Sequence, residues 1–370
     1  MNRRAPCGRS GPARRARGLA LVTVLWVLML LALIAASFTR TTRTEVNLTR
    51  NLIENAEAEA LADAGVYRAV LALLAPQTEG LIDAGMESLI RLGAENPAVA
   101  RRRIEQDLRA ELEAGNLAPE AAAMFTEGWR SDGTVYAWAF GGGEVRISIQ
   151  DEGGKIDLNG APDELLRGLF LAAAWTGPDG EILGLDQSEA DALVDAIRDF
   201  ADADDLKRLN GAEDGDYAAA GLPWGAKDAA FTAVEELQQV LGVTAPLYQA
   251  VAPALTVHTG SKGIDAKSAP REVLMALPGS EAEAVDAHLA ARAEAPEGAG
   301  PAFLGAEGLS TRSRRRVYTI HAEARAPGGA VFAREVVVRL GGGARGYRIE
   351  AWKQGRRTLF GARGSAAETE

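Results

Sequence analysis

Between Leu19 and Thr39 the chain runs for 21 residues without a charged side chain (LALVTVLWVLMLLALIAASFT), directly after a stub that holds six arginines and no acid. An apolar helix of that length reaches about 30 Å, the thickness of a bilayer's hydrocarbon, and Arg3, Arg4, Arg9, Arg14, Arg15 and Arg17 mark the side that stays in the cytoplasm. Ala35-Ala36-Ser37 offers a second reading, a cleaved secretory leader, although the apolar region is longer than such leaders carry. After the span the sequence stays helix-favouring to Leu74, with no proline until Pro76, and Val46, Ile53, Ala56, Ala60 and Leu61 recur at helical spacing. One helix from Leu19 to Leu74 is therefore expected, about 80 Å long. An anchor followed by a separate linker helix is the plainer alternative.

The remaining length suffices for a sizeable folded body, 370 residues in all. A net charge of −11, from 40 basic and 51 acidic side chains, argues against a broad grip on nucleic acid or anionic lipid. The single Cys7 excludes an internal disulfide, a cysteine zinc site and an iron–sulfur cluster. His258, His288 and His321 form no constellation in the sequence.

Strand signals come in two sets. TVYAWAF and EVRISIQ flank Gly141-Gly142-Gly143, and Val145, Ile147 and Ile149 alternate with Arg146, Ser148 and Gln150, the pattern of a hairpin with one buried face. Near the end RRVYTIHAEARA, VFAREVVVRL and YRIEAWK, separated by Pro327-Gly328-Gly329 and by a further glycine run, read as three antiparallel strands. The intervening stretch has helical periodicity. One sheet split by a helical insertion buries both sets economically; two separate sheets remain open.

Inside the insert, Ile156-Asp157 with Ala161-Pro162-Asp163-Glu164-Leu165-Leu166 matches Ile264-Asp265 with Ala269-Pro270-Arg271-Glu272-Val273-Leu274, offset by 108 throughout. Each copy puts a capping candidate, Asn159 or Ser268, before a proline in the first helical turn. Ser188 to Phe200 reads as a helix with Leu193, Val194, Ile197 and Phe200 on one face. Thr232 to Leu241 reads as another, with Thr232 and Glu235 as a capping box and Gly242 as its stop.

Arg-Ala-Arg-Gly followed by an apolar helix that turns amphipathic resembles a class III prepilin signal, which a prepilin peptidase cuts after the glycine, here Gly18. The resemblance implies a mature chain that starts at Leu19, with its amine methylated, with no cysteine, and with the charge moved from −11 to −17 by the loss of six arginines. The family's usual fifth mature residue is Glu; here it is Thr23. That Glu is ascribed the role of pairing with the neighbouring subunit's amine inside the filament, and a buried carboxylate needs such a partner. A subunit without it suits a filament end. Together with Asp151 to Asn159, and Asp199 through Gly211-Ala212-Glu213-Asp214, these features resemble general secretion pathway protein K, a minor pseudopilin of type II secretion, from Gly18 to about Lys353.

The resemblance implies an α+β fold: a pilin-like long N-terminal transmembrane helix packed on an antiparallel sheet, with a large all-α domain inserted between strands. The expected division is a leader at 1–18, the transmembrane and amphipathic stalk at 19–74, and the first part of the pilin-like domain at 75–150. An inserted helical domain at 151–305, the remaining strands at 306–353 and a flexible tail at 354–370 complete it. It also implies an inner-membrane, single-pass protein with its large C-terminal region in the periplasm, other minor pseudopilins as tip partners, and the major pseudopilin below. The helical region Glu79 to Glu127 is longer than the resemblance implies for the family, and no role is assigned to it.

Asp199, Asp202, Asp204, Asp205, Glu213, Asp214 and Asp216 crowd into eighteen residues, with Gly211 and Gly215 allowing tight turns. Oxygen-only ligands suit a hard cation, and Ca²⁺ accepts six to eight of them. Asp202, Asp204 and Glu213 fall at the first, third and twelfth places of an EF-hand count, but Leu206 and Lys207 occupy the fifth and sixth, where the sixth requires Gly, so a true EF-hand is rejected. In the resembling family this domain binds calcium, which carries over to Asp202, Asp204, Glu213 and Asp216; a solvated acidic loop is the alternative.

Paired acids can also cut glycosidic bonds, but no Ser/His/Asp motif, Walker loop or HExxH accompanies these, and no enzymatic function is expected. Val273 to Val285 resembles a helix–hairpin–helix, whose turn can meet a DNA phosphate; Glu281 and Glu283 would repel it, so packing is favoured over nucleic-acid binding. Arg312, Arg314, Arg315 and Arg316 read as a solvated approach to a strand or as a docking patch. Trp129, Trp138, Trp224 and Trp352 read as core or edge aromatics. A minor pilin of a type IV pilus shares the cleavage and helix logic and stands as the related alternative.

Overall fold

The computed structural model describes residues 19–91, 129–176, 180, 182–295, 301–303, 308–313, 315–341 and 346–360. The expectations for Gly18, Arg314 and most of Glu79 to Glu127 lie outside them. The chain divides into two units at Ala56/Glu57.

In the first unit the backbone is helical from Leu19, and residues 21–38 are all exposed, including Leu21, Trp26, Met29 and Phe38. The window Leu21–Phe38 has a mean hydropathy of 2.6 and is long and apolar enough to cross a membrane. The helix, α1 (Leu19–Arg91), runs past the stop expected at Leu74. Pro76 forfeits one backbone donor, while the residues after it (EGLIDAGMESLIR) mostly favour helix.

In the second unit α1 lies on a five-stranded antiparallel sheet in the order β1 (Asp132–Phe140), β2 (Gly143–Asp151), β7 (Val317–Arg325), β8 (Val331–Leu340), β9 (Tyr347–Gln354). The two sets of strand signals thus join one sheet: β2 and β7 are neighbours, with Asp151 opposite Tyr318 and Val145 opposite Ala324. Gly141 and Gly142 both have positive φ, 58° and 79°, as a two-residue turn between right-twisted strands requires.

Small residues let the helix approach closely. Ala58, Ala62, Val66 and Ala69 are buried on one face, and a Cβ on Gly65 would stand 2.8 Å from Val145 Cγ1 and 3.2 Å from Ala322 Cβ. The core between them adds Ile147, Ile149, Ile320, Val336 and Val338. Arg334 of β8, almost buried, closes the rim by donating to Asp63 Oδ1 (2.7 Å) and Glu59 Oε1 (2.6 Å). Trp129 is buried and stacks on Tyr136 at 4.6 Å, whereas Trp352 lies at the sheet edge and Trp224 is exposed.

Between β2 and β7 the chain builds a second core, from Leu165, Phe170, Ile197, Phe200, Tyr217, Leu237 and Val251 among others. Its helices are α2 (Asp163–Ala172), α3 (Gln187–Ala201), α4 (Asp214–Ala219), α5 (Ala245–Val251), α6 (Arg271–Met275) and α7 (Ala282–Glu294). The insert is not all-α. β3 (Ile156–Asp157) pairs in parallel with β6 (Leu255–Thr256), whereas β4 (Ala174–Thr176) pairs antiparallel with β5 (Ile182–Gly184). These pieces are too short to register as strands against helical periodicity.

Local capping differs from expectation at three places. Asn159 and Ser268 do not cap; Pro162 and Pro270 are themselves the residues before α2 and α6, and Asn159 is engaged with the backbone of Phe231. Thr232 to Leu241 forms a 3₁₀ segment, Val234–Gln239, and Glu236 rather than Glu235 reaches back to Thr232. α3 begins as foreseen, with a capping box between Asp186 and Glu189 that the sequence reading did not assign.

The insert is tied to the sheet by polar contacts. Lys353 of β9 bonds Glu235 at 2.6 Å and Glu335 at 3.0 Å, Thr319 donates to Glu152, and Gln150 Nε2 donates to Ser268 O. Past β9, Leu359 N donates to Glu323, and Arg146 and Arg325 sit over the Phe360 ring. The first residues of the segment expected to be a flexible tail are therefore in contact with the sheet.

Candidate functional site

The acidic loop joins α3 to α4. α3 ends at Ala201, so Asp199 lies in its last turn and Asp202 follows at the cap. Asp199 is fully buried, and both its oxygens accept from Arg208 N (3.3 and 3.1 Å). A Cβ on Gly211 would stand 1.9 Å from Asp199 Oδ2, so only glycine lets the returning chain pass over this carboxylate. Burial, and then the neighbouring Asp202 charge, push the Asp199 carboxyl above its ordinary value.

Two of the four expected metal ligands keep a free oxygen. Asp202 Oδ1 and Glu213 Oε1 are buried from solvent, and neither has a hydrogen-bond partner. Burial together with Asp199, Asp202, Asp228 and Asp205 pushes the Glu213 carboxyl up to about 7. An uncompensated group of acids this close is held apart from protons only at a cost.

The other two are engaged. Asp204 Oδ1 accepts from Leu206 N at 3.0 Å, a turn within the loop. Asp216 pairs with Lys207 Nζ at 2.7 Å and accepts from Glu213 N at 3.0 Å, and both contacts hold its carboxyl below the usual range. Asp216 thus works as the returning half of the cap on α4. Among the described residues no group of three or more acid or imidazole side chains is already gathered as a metal centre.

Sequence reasoning left Asp199 and Asp228 out of the ligand set. Asp199 carried a signal, an acid on the last turn of a helix whose apolar face is otherwise continuous. Asp228 carried none, since it joins the group only through folding, in a left-handed conformation (φ 53°).

At the other end of the chain, Leu19 opens α1, and Thr23 is exposed within it. The helix–hairpin–helix candidate is present as α6, a turn at Gly279 (φ 73°) and α7; Glu281 and Glu283 are exposed at its start. His321 stands 3.8 Å from Glu335, and His288 is buried with Nε2 3.2 Å from Ala266 O.

Residues 181–260, which hold α3, the acidic loop and α5, match the family model described as type II secretion system (T2SS), protein K. The type II secretion system protein K of Pectobacterium carotovorum subsp. carotovorum is 35% identical over 71 residues, which are 19% of this chain and 22% of that protein. The putative type II secretion system protein K of Escherichia coli strain K12 is 34% identical over 74 residues, 20% of this chain and 23% of that protein. The chain thus spans about a fifth of the length of the curated relatives it matches. A chain of the crystal structure of the GspK-GspI-GspJ complex from the enterotoxigenic Escherichia coli type 2 secretion system is covered completely by 70% of this chain, at 16% identity and a TM-score of 0.44. The family model and the two curated relatives agree with the protein K resemblance read from the sequence.

Proposed function

We propose that this chain, whose residues 181–260 carry the protein K likeness of type II secretion, is a minor pseudopilin that sits at the tip of the pseudopilus, initiates its assembly and aids protein export across the outer membrane. The match over 181–260 carries the reading, because it falls in the insert and not in the generic helix and sheet. The exposed apolar helix from residue 21 to 38 supports an inner-membrane anchor, with the large C-terminal region in the periplasm. Prepilin peptidase would cut after Gly18 and free the Leu19 amine for methylation. Thr23 supplies no carboxylate for a neighbour's amine, and the insert adds bulk to the head, so both favour a place with no subunit above. Other minor pseudopilins would then be its partners and the major pseudopilin would lie below. The work is mechanical and needs no catalytic group.

The test is N-terminal sequencing of the mature protein together with co-purification. A start at Leu19 and recovery with other minor pseudopilins support the proposal; a start near Thr39 defeats it. Recovery with the minor pilins of a type IV pilus would favour the related reading.

Calcium belongs to the same proposal as a structural ion. Asp202 and Glu213 fit it, because each has a buried oxygen without a donor and an excess of negative charge around it, with Asp199 beside them. Asp204 and Asp216 would have to leave their present partners to contribute. A bound divalent cation would fix the loop and remove the repulsion among its acids. Ca²⁺ at millimolar concentration is expected to raise the melting temperature of the protein; calorimetry that detects no binding, with an unchanged melting curve, would remove the ion from the account.

A further inference from the structure

Arg312 and Arg315, of the arginine run before β7, border a cleft of about 420 Å³ inside the second unit. Its walls are Gly153, residues 259–261, residues 311–313 and Arg315, which are far apart in sequence. The repeat explains their meeting. Asp157 Oδ2 accepts from Thr259 N (2.9 Å) and Gly260 N (2.6 Å), while its repeat mate Asp265 accepts through Oδ2 from Ser313 N (2.8 Å). Asp151 Oδ1 adds Ser313 Oγ at 2.9 Å, and Ile264 pairs in parallel with Ser310. The walls are therefore fixed by carboxylates that lie behind them and are already engaged.

What the cleft presents is different in sign. Thr259, Ser261, Thr311 and Ser313 line it with hydroxyls, and Arg312 and Arg315 with exposed guanidinium groups. Among the described residues, Arg130, Arg146, Arg167, Arg198, Arg208 and Arg334 each have a carboxylate partner, whereas Arg312 and Arg315 have none. Arg315 reaches over Gly260, whose φ is 55°; a Cβ there would meet Arg315 Nη2 at an ordinary contact distance of 3.6 Å.

We propose that this cleft takes the carboxylate side chain of a partner polypeptide, held between the Arg312 and Arg315 forks alone, because the Thr259, Ser261 and Ser313 hydroxyls already donate to Asp157, Gly263 O and Asp151. Two like charges with no counter-ion, aimed at one recess, complement a carboxylate, and the planar guanidinium matches it through two parallel bonds. The amides of Gly153, Gly260 and Ser313 are consumed by aspartates, so no amide nest remains for a tetrahedral phosphate, and the buried acids oppose a doubly charged ion more than a singly charged one. With no aromatic side chain in the lining, a base or an apolar ligand finds no surface to stack on. The volume is at the low end for small-ligand clefts, suited to one or two side chains.

The experiment uses the full chain in detergent and a fluorescent capped peptide Gly-Glu-Glu-Gly, with Gly-Gln-Gln-Gly and inorganic phosphate as comparisons. The glutamyl peptide is expected to bind and to weaken as salt rises, while the glutaminyl peptide does not. Arg312→Ala with Arg315→Ala should weaken it about tenfold or more, and the two Lys replacements by less, because they keep charge without the fork. Both arginines are exposed, so the melting temperature should not move. Absence of glutamyl binding, equal binding of the glutaminyl peptide, an unchanged affinity in the double Ala variant, or binding of phosphate alone would each overturn the proposal.

Discussion

Gly65 and Asp151 show how much can rest on one side chain. A valine at Gly65 would have to displace Val145 and Ala322, because even its first carbon meets Val145 at 2.8 Å. Gly65→Val is expected to cost about 2–4 kcal/mol by separating α1 from the sheet, read as a fall in the denaturant midpoint. Asp151 is governed by the opposite logic. Burial pushes its carboxyl up to about 6, and the nearby Asp265 and Glu152 charges add to this against hydrogen bonds from Gly153 and Ser313. A raised folded-state value means that the folded protein binds the proton more tightly, so the contribution is complete below the ordinary value of 3.8 and is lost as pH rises to about 6. Thermal melts of the wild type between those limits should fall more with rising pH than those of Asp151→Asn.

At the scale of the element, α3 depends on its ends as well as its face. Asp186→Ala removes the side chain that accepts from Glu189 N and is expected to cost about 1 kcal/mol, measurable by chemical denaturation. The rim between α1 and β8 should be costlier. Arg334→Met would leave Asp63 and Glu59 without their cation while keeping the apolar stem, with a loss of about 1–3 kcal/mol that is larger at low salt. The elements also show what the sequence made legible. β2 could be read because Val145, Ile147 and Ile149 alternate with polar residues, and all three are buried. The helices of the insert could be read from Leu193, Val194, Ile197 and Phe200. The short strands could not, since Ile156-Asp157 is two residues long and its partner Leu255-Thr256 lies about a hundred residues away. The caps failed for a similar reason: Asn159 has a capping side chain, but Phe231, brought up by folding, claims it first. In the acidic loop the density of acids was visible, whereas the division into engaged and free oxygens depends on Lys207, the Leu206 amide and the buried Asp199.

In the second unit the buried residues of the sheet and those of the insert form two separate clusters, and polar side chains, Lys353 with Glu235 among them, bridge the two. Glu335, between His321 and Lys353, is the centre of that joint. Burial alone would raise its carboxyl, yet the His321 hydrogen bond and the Lys353 charge bring it down to about 2. With a depressed value the sign reverses: the stabilisation is complete above the ordinary 4.5 and disappears as pH falls toward about 2. Lys353→Met should therefore flatten the acid limb of the stability profile and speed amide exchange around Val234–Gln239, which Glu235 tethers to β9.

Because Asp151 faces Tyr318 across the ladder, the chain leaves for its long excursion and returns within one strand spacing, about 5 Å. The excursion is a cassette. Its ends meet where an ordinary hairpin would turn, so cutting it out and closing the gap with Asn-Gly should leave a smaller protein in which α1 still covers five strands.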